Sequence, residues 1–482
     1  MTAGAFVGVD VHVARADELD QAGALTAEAY HADRLLDPED EYETELRDAE
    51  RRAREAVLLV ATVAAHPRGS EPGARPGSDG AWVDGAGLAG AGLDGAGSDD
   101  ADSTVAVAGT DAAEVVVGTL TLAPYGTSYA EAAEPGEVEL RMLAAAPEAR
   151  HRGIAERLVV TALREAVAGG ARRVVLSTLT EMVVAQRLYA RLGFVPAPAR
   201  NWGHEGIVLH VLTWEPPAAP GVLVESGTWA PAATEVVDGW RLGLSDGFTR
   251  RANSVLPLGT PADLAATLGR VEARYAAAGQ PVVLRVCSAA PAGLRPLLAA
   301  RGYTEVAATD VLVRDLAGPA GREPGSASSA RGSAPGTAAG PRSFPGVRVV
   351  VAERPDDAWL DGWLGVKASG HAVDRDVARR IVTGSPAHYL TAVRDSGAEI
   401  HPIGVLRAAF AEDWVGLSCL AVTPEARRRG IGRLLTRSAL RSAADRGARR
   451  AFLQVEAANR GAADLYATEG FQPAERYAYW QR

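Results

Sequence analysis

Two rhythms of apolar and polar residues alternate along this chain, and the order in which they alternate predicts its organisation. Near the start, VDVHVAR reads as a strand, with helices expected through Ala29 and Arg54. The apolar run VLLVATVA then has the character of a buried strand, and EVVVGTLTLAP resumes it far downstream. Residues 66–111 between them are rich in Gly, Ala, Asp, Ser and Pro and lack periodicity, which predicts a disordered insertion in a long hairpin loop. VELRMLAAA, GIAERLVVTALREAVAGG, RRVVLSTL, MVVAQRLYARLG and GIVLHVLTW follow as strand, helix, strand, helix and strand. The break PPAAP (216–220) closes a first domain, taken as 1–215.

The last part of the chain repeats this order. VRVVVAE reads as a strand and DVARRIVTG as a helix; YLTAVRD, HPIGVLRAAF and WVGLSCLAV are strands. GIGRLLTRSALRSAADRG is a helix, ARRAFLQVEA a strand, GAADLYATEG a helix and ERYAYWQR a final strand. The alternation predicts an α/β fold with a mixed sheet in each terminal domain. The repeat is visible residue by residue: PEARHRGIAERLV matches PEARRRGIGRLLT, and RLYARLGF matches DLYATEGF. Between the copies, 222–316 carries a helix at LAATLGRVEARYAAAG, a strand at PVVLRVCS and the segment Leu298, Arg301, Gly302, Tyr303, an echo of the L-Y-x-x-x-G-F helix end. Residues 317–345 read as a flexible linker and 346–482 as the C-terminal domain.

The pattern that carries chemistry is a strand, a short Arg-x-x-Gly-x-Gly/Ala loop, then a helix. It comprises Arg427, Gly430 and Gly432 in the C-terminal copy, and Arg150, Gly153 and Ala155 in the N-terminal one. A glycine there lets the main chain turn close to a ligand, and the following helix offers unpaired N–H groups and the positive end of its dipole. Together they make a cradle for a pyrophosphate, with arginines adding charge-assisted bonds. No G-x-G-x-x-G or G-x-x-x-x-G-K-[ST] loop is present, which argues against Rossmann and P-loop readings. Downstream, the C-terminal copy has Asn459, Ala462, Leu465, Tyr466, Gly470 and Phe471 in the order N-x-x-A-x-x-L-Y-x-x-x-G-F.

With these motifs, both ends of the chain resemble GNAT acetyltransferases, and the middle segment resembles a degenerate GNAT-like lobe without its pyrophosphate loop. The resemblance implies tandem GNAT folds and acetyl-CoA as acyl donor. It places the CoA pyrophosphate on Arg427, Arg428, Arg429, Gly430, Ile431, Gly432 and Arg433, and the pantetheine and thioester carbonyl near Leu420 and Val422. Asn459 is expected beside the pantetheine arm and Tyr466 as proton donor to the leaving thiolate. The base is chosen from Glu412, Asp413 and Glu456, with Glu456 preferred. In the N-terminal copy the corresponding donor-binding residues are Leu143, Ala145, Arg150, His151, Arg152, Gly153, Ile154 and Ala155. Tyr189 and Glu139 are its candidate catalytic pair, although Thr180 to Met182 stand where the asparagine would be. The middle and C-terminal parts also resemble an actinobacterial GNAT group that includes N-acetylglutamate synthase-like proteins. The expected reaction moves an acetyl group to the primary amine of a small molecule or amino acid, glutamate among them. The alternatives are a mycothiol synthase-like acetyltransferase and a non-catalytic acyl-CoA sensor.

Composition narrows the partners. The net charge of −10 gives no general attraction to nucleic acid or to an anionic membrane. Lys367 is the sole lysine, so the positive charge is almost entirely arginine. No metal-ligand pattern, signal peptide or long apolar run is expected, and Cys287 and Cys419, each in an apolar run, are expected as free thiols in a cytoplasmic protein. Arg250, Arg251, Asn253 and Ser254 form a polar cluster suited either to an anionic acceptor or to a solvated turn. The oligomeric state is not legible.

Overall fold

The computed structural model describes residues 8–35, 41–64, 114–204, 207–316, 346–367, 374–396 and 399–482. The expected insertion at 66–111 and linker at 317–345 lie outside the described residues. The described residues divide into two units, one up to residue 217 and one from 218 to 482.

Unit 1 begins with β1 (Asp10–Val13), α1 (Leu19–Ala32), α2 (Tyr42–Arg47) and α3 (Ala49–Glu55). Next come β2 (Val57–Ala64), β3 (Glu114–Pro124), β4 (Glu137–Ala145), α4 (Ile154–Ala168), β5 (Arg173–Leu179) and α5 (Val183–Arg191). β6 (Val195–Pro196), β7 (Trp202–His204) and β8 (Ile207–Trp214) complete it. The sheet order is β1-β2-β3-β4-β5-β8-β6, with β7 on β8. β2 and β3 are antiparallel neighbours in the sheet. β4 and β5 pair in parallel, and β8 lies between β5 and β6. One core gathers Ile154, Leu158 and Ala162 of α4 against Leu120, Leu140 and Leu176 of the sheet.

Unit 2 opens with a helix the sequence pattern did not reveal, α6 (Val222–Thr228). Then follow β9 (Ala233–Val237), β10 (Trp240–Leu244), β11 (Val255–Leu256), α7 (Leu264–Ala277), β12 (Val283–Val286), α8 (Leu294–Ala300) and β13 (Thr304–Asp315). The remainder is β14 (Val347–Ala352), α9 (Asp357–Lys367), α10 (Arg375–Thr383), β15 (Ala387–Ser396), β16 (Glu399–Ala411), β17 (Trp414–Val422), α11 (Ile431–Asp445), β18 (Arg450–Glu456), α12 (Arg460–Thr468) and β19 (Gln472–Gln481). α9 likewise has no regular apolar stripe in its sequence, DAWLDGWLGVK. Its Trp359 and Trp363 are buried against Tyr389 and Trp229.

A single eleven-stranded sheet runs through this unit in the order β14-β15-β16-β17-β18-β13-β19-β12-β11-β10-β9. β17 is parallel to β18 and β11 to β12, as β4 is to β5. The strand after each second helix then crosses over. β13, which follows α8, pairs with β18, and β19, which follows α12, pairs with β12. β13 and β19 pair with each other between them. In unit 1 the strands β8 and β6 fill these places from the same domain, whereas in unit 2 the middle and C-terminal segments exchange them. The middle segment is therefore continuous with the C-terminal sheet. α6 lies on the face of this sheet opposite α11, in a core of Val222, Val224, Val311, Phe452, Tyr477 and Tyr479. It is pinned by a fully buried ion pair, Arg285 Nη2 to Glu225 Oε2.

Cys287 and Cys419 are buried and form no disulfide. Among the described residues no helix is long and apolar enough to cross a membrane, and no three His, Cys, Asp or Glu residues gather as a metal site. The exchange makes a direct prediction. A fragment of residues 346–482 lacks β13, leaving β18 and β19 without their shared neighbour, and should show no cooperative urea transition, whereas residues 218–482 should unfold in one step. A cooperative transition in the shorter fragment would refute the exchange.

Candidate functional site

The site starts where a parallel strand pair comes apart. β17 and β18 are in register from Trp414↔Arg450 to Leu417↔Leu453, and there the pairing stops. Both strands continue, to Val422 and to Glu456, so beyond Leu417 and Leu453 their facing edges have no strand partner. The cause is local. β17 carries one residue more than β16 between the pairs Val405↔Ala421 and Arg407↔Ser418, and Cys419 in that bulge has φ +58°. A bulge bends its strand and sharpens the twist, which turns β17 away from β18. Unit 1 repeats the device: the β4–β5 register ends at Leu140↔Leu176, and Met142 sits in the bulge with φ +52°. Leu420 and Val422, and Leu143 and Ala145, lie on these open stretches.

Each open strand feeds a short 3-10 turn, Pro424–Ala426 or Pro147–Ala149, and then the arginine–glycine loop. Arg428 and His151 take left-handed backbone (φ +57° and +61°), as do Gly430 and Gly153 (φ +79° and +77°). Gly430 and Gly153 are the N-caps of α11 and α4, and neither helix has a side-chain cap. The first-turn N–H groups at Ile431 to Arg433 and Ile154 to Glu156 therefore face outward with the positive end of the helix dipole. Arg428, Arg429, His151 and Arg152 are exposed beside them. Arg427 Nε donates to Val422 O, tying loop to strand. Arg433 turns its guanidinium away, to Glu469 at 2.9 Å and Thr468 at 3.0 Å, so only its N–H faces the loop. Arg150 is held in a two-pronged contact with Asp33 at 2.7 and 3.1 Å. A Cβ on Gly432 would meet only Leu465 and Leu420, at 3.6 and 3.7 Å, which is ordinary contact and explains why Ala155 fits the same place in unit 1.

Tyr466 lies in one core cluster with Leu420 and Val455, residues just past the split, and edge-on to Phe471. Burial pushes its phenol upward, so it stays protonated well past neutrality. Tyr189 repeats this, packed on Phe194, and burial pushes its phenol up as well. Asn459 Oδ1 accepts from Ala462 N and so caps α12, a structural role beside the one expected at the pantetheine arm.

On the other face of the sheet the carboxylates sort themselves. Asp413 precedes the paired stretch and is bound by Arg450, far along the strand from the split. Glu456 ends β18 on the open stretch, with Arg250 Nη1 3.9 Å from its Oε1. In unit 1, Glu137 is locked by Arg173 and Arg200 at 2.8 and 2.7 Å. Burial raises its carboxyl, and the Arg200, Glu134 N–H and Arg173 bonds reverse this and hold it low. Glu139 is fully buried, accepts from Ala132 N at 2.7 Å through Oε2 and has no partner for Oε1. Burial pushes its carboxyl up, with the Ala132 N–H offsetting only part.

The polar cluster before VLPLG splits in function. Asn253 Oδ1 accepts from Ser245 N and Gly247 N, and Ser254 donates to Arg251 O, so both serve the loop. Arg250 stacks toward Tyr479 and Arg251 lies 5.0 Å from the Trp229 ring centre. Glu225, unmarked in the sequence, accepts from Gln454 Nε2 at the start of the open stretch of β18. Its only sequence signal is one carboxylate in an otherwise apolar VLVESG run.

A family model described as "Probable histone acetyltransferase Rv0428c C-terminal" matches residues 225–480, and one described as "Acetyltransferase (GNAT) family" matches 90–194. The chain is 25% identical over 264 residues to the uncharacterized N-acetyltransferase YobR of Bacillus subtilis (strain 168), covering 53% of this chain and 94% of that protein. Similar solved structures include a GCN5-related N-acetyltransferase from Kribbella flavida, with TM-score 0.39, 17% identity and coverage of 55% of this chain and 96% of that one. Another is a tandem GNAT protein from the clavulanic acid biosynthesis pathway, with TM-score 0.29, 13% identity and 98% of both chains covered.

The two loop glycines should respond differently to substitution. Gly430→Ala forces a Cβ into left-handed backbone and should cost about 1 kcal/mol in urea unfolding. Gly432→Ala should cost under about 0.5 kcal/mol. Equal losses would mean that crowding, and not backbone conformation, sets the glycine at 430.

Proposed function

This chain belongs to the family of the Rv0428c C-terminal domain and is a GNAT acyltransferase, and from that membership we propose that unit 2 transfers the acetyl group of acetyl-CoA to the primary amine of a small molecule or amino acid. The observation that carries the reading is the unpaired edge beyond Leu417 and Leu453, set between an uncapped, arginine-flanked helix start and a buried phenol. In this reading the N–H groups of residues 430–433 with Arg427, Arg428 and Arg429 hold the pyrophosphate, and the strand edge at Leu420 and Val422 holds the pantetheine and the thioester carbonyl.

The chemistry follows from the parts. The amine nitrogen attacks the carbonyl carbon, a C–N bond forms, and negative charge collects on oxygen, where a fixed main-chain N–H lowers the barrier. Glu456 takes the proton the nitrogen loses. The tetrahedral adduct collapses, the C–S bond breaks, and the thiolate takes the Tyr466 phenolic proton, which solvent restores. A phenol kept neutral by its burial is suited to this donation. The bound geometry brings the two reactants together, a large share of the rate gain in itself.

Unit 1 supports the same chemistry with Glu139 as base and Tyr189 as acid. Its carboxyl is raised toward the range of a working base and keeps one oxygen unpartnered. Both reactions suit the cytoplasm, where unbridged thiols such as Cys287 and Cys419 stay reduced.

Calorimetry with acetyl-CoA on the whole protein and on a Gly430→Asp, Gly432→Asp variant tests the assignment. The variant should lose the unit 2 site and retain only stoichiometry from unit 1; unchanged binding would put the donor elsewhere. Tyr466→Phe should lower kcat roughly 10²-fold or more with acetyl-CoA affinity within about twofold. Because the phenol is pushed up, the wild-type rate should not fall as pH rises to about 10, the ordinary phenol value. A fall centred below that value, absent in Tyr466→Phe, would show that the phenol is not held neutral.

A further inference from the structure

Glu456, the last residue of β18 and part of its open stretch, faces a loop that comes from the middle segment. Residues 245–254 form that loop between β10 and β11, and Asn253 braces it from within. Its Oδ1 accepts from Ser245 N at 2.7 Å and from Gly247 N at 3.1 Å, and its Nδ2 donates to Thr249 O at 2.9 Å. Thr249 Oγ1 accepts from Trp229 Nε1, and Phe248 packs on Trp363 of α9 with ring centres 5.8 Å apart. The loop is thus fixed to the C-terminal segment, and it presents Arg250 as the first residue of a 3-10 turn.

The Arg250 side chain is only 10% exposed, and its guanidinium lies 5.5 Å from the Tyr479 ring centre. Among the described residues this guanidinium makes no hydrogen bond, yet none of its nitrogens is sealed from solvent. Its one charged neighbour among them is Glu456, with Nη1 3.9 Å from Oε1. The Glu456 carboxylate is 37% exposed and is likewise without a hydrogen bond among the described residues. A direct bond would need about 2.7–3.2 Å, so the two groups face each other without closing. Covering a charge is costly unless it is paired and hydrogen-bonded. The braced loop nevertheless holds a fork of unused N–H donors beside an open carboxylate, at the solvent-facing end of a strand and not inside a closed cavity.

The spacing suits one kind of ligand. An amine that gives its proton to Glu456 lies about 3 Å from the carboxylate oxygen. Ordinary bond lengths put the nitrogen and a carboxylate oxygen of an α-amino acid roughly 3 Å apart. With that oxygen about 3 Å from the guanidinium, the ligand closes a four-sided figure over the 3.9 Å gap. A plain monoamine fills one corner and leaves the guanidinium unbonded. We infer that Arg250 and Glu456 together form the acceptor site of unit 2 and select an α-amino acid, whose carboxylate Arg250 holds by charge-assisted bonds. The inference rests on unit 2 being the acetyl-CoA-dependent transferase with Glu456 as its base. It gives the middle segment a part in the site, since Arg250 comes from it. Unit 1 does not share the arrangement: with Arg173 and Arg450 in equivalent register, Leu179 stands where β18 has Glu456.

The full chain, saturated with CoA, is titrated calorimetrically with the standard amino acids and, one for one, with the amines left when the α-carboxylate is removed. At least one amino acid should bind on the order of tenfold tighter than its decarboxylated partner. Arg250→Gln should bring that ratio to within about twofold with CoA affinity unchanged to within about twofold. Arg250→Lys should keep part of the preference, because the charge stays while the fork is lost. In thiol-release assays the preference should fall on KM more than on kcat. Arg250→Met takes the place of Arg250→Gln should the latter fail to fold, judged by its urea midpoint. Binding of CoA with no amino acid preferred, or a preference that survives in the folded Gln or Met variant, overturns the inference and leaves the transferase reading standing. Absence of CoA binding by the wild-type chain would instead remove the transferase reading and the inference with it.

Discussion

Everything at the unit 2 site depends on two strands ceasing to pair. A parallel ladder is normally satisfied along its length, and an unpaired stretch inside a buried sheet leaves N–H and C=O groups to be matched by something else. The bulge at Cys419 forces that situation by placing one residue more on β17 than β16 can match. Beyond the bulge the strand runs into the arginine loop, whose left-handed Arg428 and Gly430 turn the chain so that α11 starts at the head of the gap. The neutral phenol, the strand edge and the helix start become useful to one another only because the gap exists.

The units built on this plan diverge on the opposite face. Unit 1 keeps a buried glutamate on the strand itself, at Glu139, and its partly unmet hydrogen-bonding capacity matches its raised carboxyl. In unit 2 the strand reads VGLSC where β4 reads VELRM, so Gly416 takes that position, and Thr228 of α6 and Phe452 occupy the space beside it. Arg407, buried without a carboxylate, fixes the end of α6 through Thr228 O and joins it to Val382 O and Ser385 Oγ, each at 2.7 Å. Swapping a strand residue for one on a helix changes the chemistry of this face while the arginine loop at the end of the strand is kept.

The arginine loops and the helices they open were legible in the sequence because they are local. PEARRRGIG and PEARHRGIA encode turn, glycine and helix start within a few residues, and N-x-x-A-x-x-L-Y marks the phenol, whereas the capping of α12 by Asn459 shows only in the structure. The bulges were not legible, since a left-handed Cys or Met leaves no compositional trace. α6 and α9 were missed because VLVESGT is short and DAWLDGWLGVK offers tryptophans where a simple apolar stripe was sought. The exchanged strands were out of reach for a different reason. TEVAATDVLVRD and QPAERYAYWQ read as strands, and nothing in either names its neighbours. Glu225 illustrates the general limit: its partners Arg285 and Gln454 are distant in the chain, so its meaning lies wholly in tertiary contact.

The crossed strands also set an order on biosynthesis. During synthesis β12 emerges long before β19, its neighbour in the sheet, and β13 waits for β18. The middle segment must therefore persist with open edges on β12 and β13 while the whole C-terminal segment is made, a long-range pairing that slows folding and exposes apolar strand to other chains. A nascent chain stalled between Asp315 and Arg450 would carry both edges unprotected, an interval in which pairing with another chain competes with folding.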